Sequence, residues 1–150
     1  MTLQDACNFF ENLKTETTIK SEMKVYGKFN YILSELKTRE FSKSEIQSIE
    51  SELESFNLTS KPDNRKRYFK KALTIFEKYL RDTFSLTPKD HYTKLYGGLG
   101  LSFGLLFGVV FLSSWERSLG ISLGLIFGMV IGSITGKSLD TKAVNEGRVL

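Results

Sequence analysis

His91 is the chain's only histidine, and it stands between Asp90 and Tyr92. An imidazole beside a carboxylate and a phenol is the one grouping here that could move protons near neutral pH. No second histidine or acidic cluster supports it, so a wet helix start is the simpler reading of His91. Gly97-Gly98-Leu99-Gly100 has the look of a phosphate loop but lacks the preceding strand and the following lysine that such a loop needs. Cys7 is the only cysteine, which excludes an internal disulfide and a cysteine-based zinc site and points to a buried thiol in a reducing compartment. The expectation is a protein with no enzymatic role, no cofactor and no resident metal.

The second chemical feature is basic. Arg65-Lys66-Arg67-Tyr68-Phe69-Lys70-Lys71 places five cations in seven residues. Such a stretch can neutralise nucleic-acid phosphates or lie against anionic lipid, where each basic residue is worth about 1 kcal/mol. Net charge is −3 over residues 1–60, +6 over 61–94 and +1 over the rest. The positive charge is therefore concentrated just ahead of the most apolar part of the chain. That position favours lipid over nucleic acid, and Lys89, Lys94 and Lys137 join the candidate anionic-lipid contacts.

The elements that carry these residues divide the chain of 150 residues into two unlike parts. From Leu95 to Gly136 only Glu116 and Arg117 are charged, and ten of the 12 glycines lie between residues 97 and 136. Helices over 95–115 and 118–136 would be about 31 and 28 Å long, the thickness of a bilayer's hydrocarbon core. The spacing predicts an all-α protein: a cytoplasmic helical domain (1–94), a two-helix transmembrane hairpin with glycine-zipper packing (95–136) and a cytoplasmic tail (137–150). Lysines and arginines gather on the side of both termini, which places that side in the cytoplasm of a multi-pass, inner-membrane protein. Trp115 and Tyr96 are the expected interface anchors.

The glycines fall in strict register. Gly100, Gly104 and Gly108 are four apart, as are Gly120, Gly124, Gly128, Gly132 and Gly136. Each step of four advances about 40° around a helix, so the glycines form a slowly winding smooth ridge along which helices can approach closely. The ridge can pack the hairpin on itself, or pack one side within the hairpin and another between subunits; the breadth of the winding favours the second. The hairpin resembles the broad class of glycine-zipper membrane segments of small bacterial proteins, a resemblance of about 40 residues that implies no defined activity. No Asp, Glu, Lys, Arg or His lies at depth, which excludes a proton-driven rotor and disfavours a transporter. The expected function is a non-enzymatic membrane protein that self-associates through these helices and carries a cytoplasmic interaction or sensing domain, with a cytoplasmic protein as a candidate partner. The alternative is a homo-oligomeric pore or membrane-disrupting effector gated by the soluble domain.

Four helices are expected in the soluble part. Thr2 with Asp5 and Ser42 with Glu45 read as capping boxes. The first helix carries Leu3, Ala6, Cys7, Phe10 and Leu13 at helical spacing. The second, over roughly Ile19 to Arg39, has the stripe Ile19, Met23, Tyr26, Phe29 or Tyr31, Leu33 and Leu36. Gly27 costs about 1 kcal/mol there, which a close helix crossing would explain. The third runs to about Phe56. Ser60, Pro62 and Asp63 begin the fourth, and Thr87-Pro88-Lys89-Asp90 signals a further helix that starts at Pro88 and, with no break before Gly97, is expected to run straight into the membrane.

Overall fold

The computed structural model describes residues 1–60, 64–112 and 117–150. Every element among them is helical: α1 (Leu3–Glu16), α2 (Lys20–Thr38), α3 (Lys43–Ser55), α4 (Arg65–Phe84), α5 (His91–Phe107), a π-helical stretch over Gly108–Leu112, and α6 (Arg117–Asn145). The chain forms two compact units, one of Met1–Ser85 with Leu150 and one of Leu86–Val149.

The first unit holds α1 to α4 around an aromatic core. Phe10 stacks on Phe29 with ring centroids 4.2 Å apart, and Phe69 meets both Phe10 and Tyr26 edge-on. All four rings are buried, as are Ile32, Leu33, Leu36, Ile49, Leu53, Phe76 and Leu80. Both capping boxes form as expected, on Thr2/Asp5 and Ser42/Glu45. Hydrogen bonds from the Thr2 hydroxyl and amide hold the Asp5 carboxyl below its ordinary value, and those from the Ser42 amide and hydroxyl do the same for Glu45. The start of α1 is also tied across the unit, because the Leu3 amide donates to Glu50 Oε1 at 3.0 Å and the terminal ammonium pairs with Glu54. Cys7 is buried, and that burial pushes its thiol up.

Several expectations need correction. Ile19 is half-exposed and Met23 is exposed, because α2 begins only at Lys20 and its core face is set by Tyr26, Phe29, Ile32, Leu33 and Leu36. Tyr31 faces out, so Phe29 is the core residue of that pair. Gly27 marks no crossing, since a Cβ there would meet nothing within 4 Å. Residues 61–63 lie outside the described residues, Pro62 and Asp63 among them; α4 starts at Arg65, where the Asn64 side chain accepts from the Arg67 amide.

The second unit is an antiparallel pair of long helices. The expected start at Pro88 is not made. Thr87 is buried and its amide donates to Arg148 O at 2.8 Å, in an isolated parallel bridge between Thr87 and Val149. Residues 88–90 turn instead, and Asp90 takes a left-handed conformation (φ 58°) before α5 begins at His91. The Thr87 hydroxyl is also directed to Arg148 O, at 3.5 Å, and the Pro88 carbonyl accepts from the His91 amide at 3.1 Å. α6 runs nine residues beyond Gly136, through Asn145. It closes at Gly147, whose positive φ of 66° allows the Arg148 amide to reach back to Ala143 O at 2.9 Å.

Candidate functional site

α5 and α6 meet along their glycines. A Cβ added at Gly104 would lie 2.9 Å from Gly128 Cα, and one at Gly124 would lie 2.7 Å from Gly108 Cα. At Gly108 it would meet Gly120 O at 2.6 Å, and at Gly136 it would meet Thr93 Cα at 2.5 Å. Carbon atoms prefer about 3.5–4.0 Å, so none of these positions accepts a side chain without moving a backbone. Gly100, Gly120, Gly128 and Gly132 sit in the same seam: Gly100 and Gly128 oppose one another, Gly120 faces Gly108, and Gly132 faces Tyr96 O. Seven of the register glycines thus face the other helix of their own chain, and Gly120 turns its carbonyl to Gly108. The winding does not carry any of them away from the seam, because two helices that cross on step-four ridges follow the same winding. Gly97 and Gly98 stand outside it, with nothing nearer than 3.7 Å to a Cβ at the first and nothing within 4 Å at the second.

Polarity is inverted relative to a soluble helix pair. The buried face is glycine, while Phe103 is 68% exposed, Val110 65% and Ile134 66%. Two helices, over His91–Val110 and Leu119–Asn145, are long and apolar enough to cross a membrane, and most of their apolar residues are not buried inside the structure. Ser102 and Thr135 return their hydroxyl protons to Gly98 O and Ile131 O four residues earlier, at 3.1 and 2.9 Å. That leaves no bare donor on either helix at these positions.

The open end of the pair is closed by a residue that sequence reasoning missed. Asp140 accepts from the Tyr92 amide through Oδ1 (2.9 Å) and from the Thr93 amide through Oδ2 (2.8 Å). One carboxylate from α6 thereby satisfies two otherwise orphaned amides at the start of α5, where the helix dipole also favours negative charge. The signal was present: Asp140 continues the step of four beyond Gly136 and so had to fall on the seam. Arg148 pairs with Glu146 on the same unit.

The basic residues Arg65, Lys66, Arg67, Lys70 and Lys71 are all exposed on the first two turns of α4. None of them makes an ion pair among the described residues. The first turn of α4 holds no acid, so three cations occupy the end of the helix where cations are disfavoured. Lys89, Lys94 and Lys137 are also exposed, and Tyr96 is half-buried. Trp115 lies outside the described residues. His91 packs its ring edge-on against Tyr92, 5.2 Å between centroids. Among the described residues no group of three or more His, Cys, Asp or Glu is placed to hold a metal ion. No protein-family model, curated protein or solved structure matches this chain.

Proposed function

We propose that the protein is a non-enzymatic integral membrane protein in which a rigid two-helix hairpin, packed as a glycine zipper, anchors a cytoplasmic helical domain. The observation that carries this reading is the inverted polarity of the α5–α6 pair: bare backbone at the seam, Phe, Leu, Ile and Val outside. In water that exterior would be a large unscreened apolar patch of the kind soluble monomers avoid. In hydrocarbon it is the matched surface, and close backbone contact supplies the attraction that lipid removes from apolar side chains.

The same reading gives the uncompensated start of α4 a task. Arg65, Lys66, Arg67, Lys70 and Lys71 engage anionic headgroups, and both termini lie on the cytoplasmic side with them. A cytoplasmic protein partner binds the helical domain. Self-association belongs to this reading through surfaces other than the glycine ridge, since the ridge is engaged within one chain.

Alkaline-carbonate extraction of membranes from cells that make the full chain tests the anchor. The protein is expected to stay in the membrane pellet, and release into the supernatant overturns the reading. Light scattering on the detergent-extracted chain tests the assembly. A protein mass of 17.1 kDa means a lone hairpin, whereas a fixed multiple means that copies join through the apolar exterior.

A further inference from the structure

An apolar groove of about 850 Å³ runs along one side of the α5–α6 seam. Its floor is glycine, Gly104 and Gly128 among others, and its walls are Phe103 and Phe107 from α5 and Phe127 and Ile131 from α6. From Tyr96 to Phe107 it covers twelve residues of helix, eleven rises or about 16 Å. The volume falls within the range of about 300–1,000 Å³ typical of small-molecule sites. Among the described residues Tyr96 and Thr135 are the only lining residues with polar side chains, and both stand at the end where α5 starts.

The residues flanking that end include five cations, Lys89, Lys94, Lys137, Lys142 and Arg148, against three acids, Asp90, Asp140 and Glu146. Lys142 is exposed and makes no ion pair among the described residues, whereas Lys94 and Lys137 stand two residues from Tyr96 and Thr135 and so fall off the groove's rows. The acids of α6 and its tail are already committed. Asp140 is held by the Tyr92 and Thr93 amides, and Glu146 by Arg148. Ser138 and Lys142 follow Thr135 at helical spacings of three and seven, so they continue the groove's own row beyond its polar end.

We propose that this groove is a binding site for one anionic phospholipid, with an acyl chain along the glycine floor and the phosphate at Tyr96 and Lys142. The proposal rests on the membrane reading above. A neutral lipid would fill the apolar length but leave Lys142 without a counter-charge. A second copy of the hairpin would have to set its own Lys142 against this one.

The test uses full-length protein reconstituted in vesicles of phosphatidylcholine and phosphatidylglycerol, each in turn carrying a photoactivatable group in one acyl chain. Adduct positions are then mapped by mass spectrometry. Phosphatidylglycerol adducts are expected to concentrate on Phe103, Phe107, Phe127 and Ile131, and phosphatidylcholine adducts on the opposite face with Leu105 and Ile126. Lys142→Gln should lower the groove labelling by phosphatidylglycerol about fivefold, the factor equivalent to about 1 kcal/mol per headgroup cation. Tyr96→Phe, which keeps the ring, should lower it while leaving labelling of Leu105 unchanged. Labelling of the groove that is equal for both lipids, or groove labelling unmoved by both variants, overturns the proposal. So do chain-to-chain crosslinks in place of lipid adducts, which would make a second copy the occupant. Carbonate extraction of the same samples separates the two readings: protein that stays embedded but shows even labelling refutes the lipid site alone.

Discussion

Placing one methyl group at two glycines of the same helix should move stability in opposite directions. At Gly98 a Cβ meets nothing within 4 Å, so Gly98→Ala gains the helix preference of alanine, about 0.5–1 kcal/mol. At Gly104 the same atom would lie 2.9 Å from Gly128 Cα and closer still to Gly124 O. To restore a contact of about 3.5 Å the two backbones must part by roughly 0.6 Å or more, and a gap of that size forfeits a quarter to a half of each neighbouring contact's attraction. Overpacking of this kind costs about 1–3 kcal/mol, which outweighs the alanine gain. Gly104→Ala is therefore expected to be destabilising by about 1–2 kcal/mol net, and the pair of variants to differ by about 1.5–3 kcal/mol. The assay is unfolding of the full chain in mixed micelles by increasing sodium dodecyl sulfate, followed by circular dichroism. Equal effects at the two positions, or a stabilised Gly104→Ala, would refute the argument that the register glycines serve the seam of their own hairpin.

Three further outcomes follow from other parts of the molecule. Phe10→Ala empties the centre of the aromatic core and should cost about 3–5 kcal/mol; hydrogen exchange of α1 and α2 amides in the full chain should speed at least about a hundredfold, the factor equivalent to about 3 kcal/mol, and unchanged protection would contradict the packing. Asp140→Ala removes the acceptor of the Tyr92 and Thr93 amides and should cost about 0.5–2 kcal/mol, as loss of a helix cap does, with faster exchange confined to the start of α5; Asp140→Asn should recover part of it. Asp5 and Glu45 have depressed folded pKa values, so their contribution is present above the unfolded values of about 3.9 and 4.3 and is lost as pH falls through the folded ones. Acid titration of the first turns of α1 and α3, read by amide exchange, should show that loss below about pH 4, and Asp5→Asn with Glu45→Gln should flatten it.

Much of the architecture was legible because its causes are local in sequence. The two capping boxes combine a hydroxyl and a carboxylate three residues apart, and both formed where the spacing put them. The two long apolar helices follow from 21 and 19 residues without charge. The step-four glycines marked a face before any partner for that face was known. What the sequence alone could not decide was which partner. A smooth ridge is compatible with a second helix of the same chain or of another, and only the antiparallel register, with Gly100 opposite Gly128 and Gly108 opposite Gly120, assigns it to the hairpin's own seam.

The errors have the same origin. Thr87-Pro88 carries a local start signal, but Thr87 is used by Arg148, which is 61 residues away, and the helix begins three residues after Pro88. Gly27 reads as a crossing on propensity alone, yet no neighbour approaches it. Asp140 has no cap-like neighbours in sequence and becomes a cap only because the seam delivers it beneath the start of α5. Periodicity and short-range hydrogen bonding are written into a few consecutive residues, so the sequence by itself determined the helices, their apolar faces and the glycine ridge. The partner of each face, the groove beside the seam and the caps supplied across it depend on which distant residues meet, and the tertiary structure alone decided those.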